Sequence, residues 1–126
     1  MRILGIDYGI KRIGFAVGDT DQKIAFPRSV VEGRAKALDY VDRMIDNEGV
    51  KKVVMGIPMR HGGEEGALAT DIRAFAKAII EKFGIEVVFQ NEILSTKAIQ
   101  PGTVTKEKTD AASAALILQS YLDSMK

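Results

Sequence analysis

The hydrophobic pattern of this chain changes its period about a quarter of the way along, and that change restricts the fold more than any other feature. Upstream, short apolar runs separated by Gly-containing loops predict an antiparallel meander of strands at 3–6, 13–18 and 23–27. Downstream, apolar residues recur every three or four positions over 34–49 and 68–83, which is typical of amphipathic helices. The chain therefore begins as paired strands and continues as alternating helices and strands.

An apolar run follows each of these two helices, at 51–58 and 85–90, and a terminal helix is predicted at about 109–124. Right-handed crossovers through the helices make the strands at 3–6, 51–58 and 85–90 parallel. The opening hairpins add antiparallel strands on one side, and Pro27 fits an edge strand because proline cannot donate to a ladder. We therefore predict an α/β fold with a mixed five-stranded sheet, order 3-2-1-4-5, and helices on both faces.

Each predicted helix carries an apolar stripe that should face the sheet. The stripe residues are Leu38, Val41 and Ile45 in the first helix, Leu68, Ile72, Phe75, Ala76, Ile79, Ile80 and Phe83 in the second, and Ala111, Ala115, Leu118 and Leu122 in the third. The third stripe is rich in alanine, so we expect the terminal helix to lie close to the sheet.

The length and composition limit the chemistry that is available. A chain of 126 residues fits one domain, 1–126, and 46% hydrophobic residues can fill its core without disulfides or a structural metal. The absence of Cys excludes disulfides, thiol nucleophiles and iron–sulfur sites, and the single histidine, His61, cannot build a histidine-rich centre. Any metal ion must therefore be held by oxygen ligands.

The charge and the N-terminal sequence bear on partners and location. The 18 Lys and Arg residues nearly cancel the 17 Asp and Glu residues, so the molecule lacks the strong basic field of a bulk nucleic-acid binder, while a local basic patch stays possible. The N-terminus reaches Asp7 after only a few apolar residues and has no signal-peptide hydrophobic region. No apolar run approaches the roughly 20 residues that span a bilayer. We expect a cytoplasmic protein without a membrane partner.

The predicted sheet brings residues from three separate segments to one edge. The carboxyl ends of its parallel strands lie at Asp7, at the loop after Pro58 and at Asn91-Glu92. Open sheets of this kind bind ligands beyond those ends. We therefore expect the three segments to meet in space.

Carboxylates at such strand ends suit hard divalent cations. Asp7 ends an apolar strand and is the first candidate ligand for Mg²⁺ or Mn²⁺; alternatively, its side chain begins a turn by accepting a backbone hydrogen bond. Glu92 is the second candidate and Asp110, at the start of the terminal helix, is the third; each could instead interact only with water or a helix dipole. Two such ions about 4 Å apart can activate a water and stabilise the leaving oxygen of a phosphodiester.

Basic residues near the same edge are candidates for phosphate binding. Lys11 and Arg12 lie in the predicted loop after Asp7, where a cation could hold a phosphate or stabilise developing charge, or could simply aid solubility. Lys51 and Lys52 precede a parallel strand, so they should lie at the opposite edge. Further candidates for a patch that follows the phosphate backbone are Arg60, Lys97, Lys106 and Lys108.

Several groups of residues resemble the motifs of a known family, in the same order. They are Gly5-Ile6-Asp7-Tyr8-Gly9-Ile10-Lys11-Arg12-Ile13-Gly14, Gly56-Ile57-Pro58 with Gly63-Glu64-Glu65-Gly66, Asn91-Glu92, and Thr109-Asp110-Ala111-Ala112 through Ile117-Leu118-Gln119-Ser120-Tyr121-Leu122. The chain resembles the YqgF family of Holliday-junction-resolvase-like proteins, which are described as candidate pre-16S ribosomal RNA nucleases. The resemblance spans nearly the whole chain and implies a ribonuclease H-like fold, in agreement with the predicted strand order.

The resemblance implies a hydrolase that cuts phosphodiester bonds in structured nucleic acid, in particular pre-16S rRNA during ribosome biogenesis. It implies that Asp7, Glu92 and Asp110 are catalytic ligands of Mg²⁺ or Mn²⁺, and that Lys11 and Arg12 orient phosphate. The implied partners are RNA in preference to branched DNA, together with ribosomal precursor particles.

Three other functions stay open at this point. Where the family usually has Asp-Glu-Arg, this chain has Asn91-Glu92-Ile93, so it could be an RNA-binding assembly factor with weak catalysis. It could also be a resolvase that acts on branched DNA. Nucleotide binding is the third, because the segment 5–9 resembles the first phosphate loop of actin-like and sugar-kinase-like proteins, but those proteins duplicate the domain and this chain has no second copy.

Overall fold

The computed structural model of the chain describes residues 1–58, 67–91 and 111–125. The helices and strands within these ranges are β1 Arg2–Tyr8, β2 Arg12–Asp19, β3 Ala25–Glu32, α1 Arg34–Glu48, β4 Val50–Ile57, α2 Ala67–Phe83, β5 Glu86–Asn91 and α3 Ala111–Ser124. The strands form one sheet in the order β3-β2-β1-β4-β5. The predicted strand order is confirmed.

β1 occupies the centre of the sheet and joins its antiparallel and parallel halves. It pairs antiparallel with β2, from Arg2 opposite Asp19 to Tyr8 opposite Ile13, and parallel with β4. β4 in turn pairs parallel with β5, up to Ile57 opposite Asn91. The carboxyl ends of β1, β4 and β5 therefore lie at one edge of the sheet, as the crossover rule predicts.

Two apolar clusters fill the two faces of the sheet, because successive side chains of a strand point to opposite sides. Leu4 and Ile6 of β1 belong to the cluster under α1 and α2, whereas Ile3 belongs to the cluster under α3. All three side chains are fully buried, and burying such a side chain contributes about 1.5–3 kcal/mol to stability. Helices thus cover both faces, as predicted.

α3 lies very close to the sheet, as its alanine content predicts. A Cβ atom added to Gly5 would lie 2.8 Å from Cβ of Leu118 and 3.0 Å from the carbonyl oxygen of Ala114. The buried face, however, differs from the predicted stripe. Its buried residues are Ala114, Ile117, Leu118 and Leu122, while Ala111 and Ala115 are only half-buried. An alanine-rich helix has a weak hydrophobic pattern. The larger side chains of α3, Ile117, Leu118 and Leu122, therefore determine which face of the helix packs against the sheet.

The other two helices bury only part of their predicted stripes. In α1, Val41 is buried together with Ala37 and Met44, whereas Leu38 and Ile45 are half-buried at the margin of the cluster. In α2, the buried residues are Ala69, Ile72, Phe75, Ala76 and Ile79. Ile80, which we expected in the core, is exposed. The apolar stripe of α2 is therefore narrower than the sequence pattern suggests.

The bounds of β3 differ from the prediction at both ends. The sequence indicates a strand over 23–27, but β3 begins at Ala25 and continues through Pro27 to Glu32 on the edge of the sheet. Its register with β2 shifts between Phe15 and Ala16, beside the proline. The hydroxyl of Tyr40 in α1 donates to Oγ of Ser29, 3.2 Å away, and so holds the second half of the strand against α1. Pairing with β2 and this contact extend the strand beyond the predicted range.

Glycines end α1 and α2 where the sequence predicts. Gly49 adopts the left-handed conformation with φ of 68°, and its N–H donates to the carbonyl of Met44. Gly84 has φ of 65°, and its N–H donates to the carbonyl of Ile80. This conformation strains residues that carry a Cβ atom, which favours glycine there. None of the helices in the described part of the chain combines the length and apolar character needed to cross a membrane.

Candidate active site

Asp7 lies near the carboxyl end of the central strand, on the face that α3 covers. It is the sixth of the seven residues of β1, it is half-buried, and it pairs with Gly14 of β2. Ile3 and Gly5, four and two positions earlier, pack against α3. Because side chains alternate along a strand, Asp7 projects to that same face.

The residues that flank Asp7 on the neighbouring strands are both glycines. Gly14 is directly opposite Asp7 in β2. Gly56 comes one position beyond Met55, which pairs with Ile6 of β1. Neither neighbour therefore contributes a side chain beside the Asp7 carboxylate. A carboxylate flanked in this way can be approached closely by an ion or a phosphate.

Two other described segments have one terminus at the same end of the sheet as Asp7. β5 ends at Asn91, level with Ile57 of β4. α3 crosses the sheet with Leu122 over Gly18 and with Ala114 over Gly5, so its first turn points toward the Asp7 end. Glu92 directly follows β5 and Asp110 directly precedes α3 in the chain. Both residues lie outside the described part of the structure.

Lys11 and Arg12 lie at the same end of the sheet as Asp7, as predicted, and their side chains are exposed. Lys11 belongs to the short loop between β1 and β2, and Arg12 is the first residue of β2. The N–H of Gly9 donates to the carbonyl of Arg12, 3.0 Å away, and the N–H of Gly33 donates to the carbonyl of Lys11 at 3.2 Å. These bonds hold the loop and the start of β2 in place. The other predicted cations and the one histidine lie outside the described residues: Arg60, His61, Lys97, Lys106 and Lys108.

Lys51 and Lys52 lie at the start of β4, at the end of the sheet opposite Asp7, as predicted. The Lys52 ammonium donates to the Tyr121 hydroxyl in α3 at 3.2 Å and lies 3.7 Å from the Glu86 carboxylate. The hydrogen bond to Tyr121, helped by the charge of Glu86, raises the pKa of Lys52. This contact could not be predicted from the sequence because the two partners are 69 positions apart. It ties α3 to the sheet.

The donor chemistry of Asp7 fits a hard divalent cation, since carboxylate oxygens are the ligands that Mg²⁺ and Mn²⁺ prefer. Across residues 1–58, 67–91 and 111–125, no group of three or more His, Cys, Asp or Glu side chains is placed to hold a metal ion. Of the three predicted ligands, Asp7 alone lies in those ranges. The complete ligand set therefore stays a prediction.

The mixed sheet in the order 3-2-1-4-5, with a carboxylate at the end of its central strand, defines the resolvase-like class of ribonuclease H-like folds. The solved structure of Thermus thermophilus RuvC in complex with a Holliday junction substrate has this fold: its TM-score is 0.64 at 15% identity, and the match covers 97% of this chain and 93% of that one. At residues 1–124 the chain matches the model of the RuvX family, described as Holliday junction resolvase. The chain belongs to the RuvX family.

Curated relatives agree with the family. A protein of Anaplasma marginale (strain St. Maries) is 34% identical over 99% of this chain and 86% of its own length. A protein of Endomicrobium trichonymphae is 37% identical over 97% of this chain and 95% of its own length. Both carry the name "Putative pre-16S rRNA nuclease". The expected family is confirmed, and family and relatives together identify the chain as a nuclease, a hydrolase of phosphodiester bonds.

Proposed function

We propose that this chain is a divalent-metal-dependent nuclease that processes pre-16S rRNA during ribosome biogenesis in the cytoplasm. The placement of Asp7 carries the proposal: a half-buried carboxylate at the carboxyl end of the central strand, flanked by two glycines. The names of the curated relatives support the substrate. Ribosomal precursor particles are the proposed setting for the reaction.

Asp7, Glu92 and Asp110 would hold Mg²⁺ or Mn²⁺ at this edge. The support is that β5 ends one residue before Glu92 and α3 begins one residue after Asp110. On β5, Val88 faces α3 whereas Val87 and Phe89 face the other cluster, so even-numbered positions share the face of Asp7. When bound, the ion supplies an activated water and stabilises the charge on the leaving oxygen.

The cations beside Asp7 would bind the phosphates of the substrate. Lys11, in the β1–β2 loop, and Arg12, at the start of β2, are exposed, and backbone hydrogen bonds hold this segment at the Asp7 end of the sheet. Charge-assisted bonds to phosphate oxygens are stronger than neutral ones. The same role is proposed for Arg60, Lys106 and Lys108. Because the total charge is only +1, binding depends on this local group of cations and not on the field of the whole molecule.

Substitution of the central carboxylate tests the proposal. Asp7→Asn keeps the shape of the side chain and weakens it as a metal ligand, so we expect cleavage of a pre-16S rRNA fragment in Mg²⁺ or Mn²⁺ to fall by at least about 100-fold. Asp19→Asn makes the same charge change at the other end of the β1–β2 pairing, opposite Arg2, and should keep most of the activity. Equal cleavage by Asp7→Asn and the parent chain would contradict the proposal.

A second candidate is cleavage of branched DNA. The family description and the RuvC complex with a Holliday junction favour it. The same assay separates the candidates when a four-way DNA junction is compared with the RNA fragment at equal concentration. Faster Asp7-dependent cleavage of the junction would favour the resolvase function. Tight RNA binding without metal-dependent products would instead favour an RNA-binding assembly factor.

A further inference from the structure

Ile10 is the most exposed of the large apolar side chains in the described part of the structure. It is 80% exposed, whereas the next, Phe26, is 54% exposed. Single exposed apolar residues are common on protein surfaces and need no special explanation. The position of Ile10 is what distinguishes it, because it lies three residues after Asp7, in the loop that contains Lys11 and leads into Arg12, the first residue of β2.

This loop holds Ile10 in place despite its exposure. Tyr8 and Ile13 form the last pair of the β1–β2 ladder below the loop. The N–H of Gly9 donates across it to the carbonyl of Arg12, and the N–H of Gly33, at the start of α1, donates to the carbonyl of Lys11. Backbone hydrogen bonds thus fix both sides of Ile10. A β-branched side chain on a fixed backbone has few conformations left to lose on binding.

An apolar side chain that lies between a carboxylate and two cations along the chain suits the mixed chemistry of a nucleic acid, which has charged phosphates and apolar base faces. Phosphate oxygens would meet Lys11 and Arg12, and the apolar surface that remains on the ligand is the face of a base. In a continuous duplex, stacking covers these faces. They become accessible at a bulge, a branch point or an unpaired end, where proteins insert apolar side chains against them.

We propose that Ile10 is a specificity-determining residue that packs against an unstacked base next to the phosphate held beside Asp7. The chain would then prefer nucleic acid in which base stacking is interrupted near the cleavage position. The inference rests on the proposed function, since it takes the Asp7 edge as the place where substrate binds. It adds a contact that distinguishes interrupted from continuous base stacking. The metal ligands and the cations contact phosphate and do not make this distinction.

A binding experiment in the Asp7→Asn background tests the inference without cleavage. The probes are a fluorescent RNA duplex, the same duplex with a three-nucleotide bulge, and the two matching DNA molecules. We expect Ile10→Ser to weaken binding of the bulged probes about tenfold and of the continuous probes less than about twofold, because only the bulged probes offer a base face for apolar burial. The slope of affinity against salt should stay unchanged, because no charge is altered. Ile10→Leu should retain most of the preference.

Ile24→Ser is the matched control, since Ile24 is 49% exposed and lies beside Asp19, at the other end of the molecule. It should bind every probe like the parent. Equal affinities of Ile10→Ser and the parent for bulged probes, or an equal loss on bulged and continuous probes, would overturn the inference. This result differs from failure of the proposed function, which shows as cleavage that does not depend on Asp7. A preference limited to the RNA or DNA pair would identify the substrate class and support the contact.

Discussion

Lys52 stabilises the packing of α3 through one polar contact at the end of the sheet opposite Asp7. Its side chain is 17% exposed, so its hydrogen bond to Tyr121 is less accessible to water than a surface ion pair. The ammonium also lies 5.7 Å from the centre of the Tyr121 ring. The charged form of Lys52 is favoured in the fold, which is why its pKa is raised.

We expect Lys52→Met to lower the free energy of unfolding by about 1 kcal/mol at pH 7. Because the folded state raises the pKa of Lys52, the contribution is fully present below the ordinary value of 10.5 and is lost as the pH rises through the higher value in the fold. Urea unfolding of both proteins from pH 7 to 11.5 should therefore show a difference that shrinks above pH 10.5. Tyr121→Phe, which removes only the hydroxyl, should reproduce most of the loss at pH 7. A difference that stays constant with pH would show that charge is not involved.

At the scale of elements, the contact between β1 and α3 decides how closely the helix approaches the sheet. We expect Gly5→Ala to destabilise the chain by about 1–3 kcal/mol, because the added methyl would lie too close to the Leu118 Cβ and Ala114 carbonyl atoms. Those atoms belong to the helix itself, so the helix would have to move away. Chemical denaturation of the variant and the parent measures the loss.

Gly18→Ala is the matched control for the same helix. An added Cβ would lie 3.0 Å from Cδ1 of Leu122 and 3.1 Å from Cδ2 of Leu118, which are the ends of flexible side chains, and 3.1 Å from the Ile24 carbonyl oxygen. Rotation of the leucines can relieve most of the crowding, so the expected loss is less than about 1 kcal/mol. Equal losses at both glycines would show that the helix position does not depend on Gly5.

The elements also show which parts of the fold the sequence could predict. The strand order followed from the change in hydrophobic period, which is a local pattern, and from the handedness of crossovers, which is the same in nearly all parallel sheets. The second half of β3 could not be predicted, since Arg28 to Glu32 become a strand through pairing with β2 and the Tyr40 contact. The buried face of α3 was predicted only in part. Which face of α3 is buried depends on which of its side chains pack onto Gly5 and Gly18 of the sheet.

The candidate site was predictable to the same extent as the topology. Asp7, Lys11 and Arg12 were placed correctly because strand direction alone determines the end of the sheet at which they lie. The glycine on each side of Asp7 could not be recognised as its neighbour, because pairing with Gly14 and the position of Gly56 depend on register. The register of two strands is known only once their pairing in the sheet is known.

At the scale of the whole molecule, the sheet separates two groups of lysines. Lys11 lies at the Asp7 end and Lys51 lies at the other end, and both side chains are exposed. The total charge of +1 gives no long-range attraction to a polyanion, so position should matter more than charge. Substitution of either lysine by alanine changes the net charge by the same amount.

We therefore expect the two substitutions to have different effects on nucleic-acid binding. Lys11→Ala should weaken binding of a structured RNA severalfold and reduce the slope of log Kd against log salt by about 1, as for the loss of one phosphate contact. Lys51→Ala should leave both quantities within error of the parent. Fluorescence anisotropy from 50 to about 300 mM salt measures both, over a range in which screening of a phosphate contact is easily detected. Equal effects would mean that RNA affinity depends on the total charge of the protein. They would contradict the proposal that the Asp7 end is the binding surface.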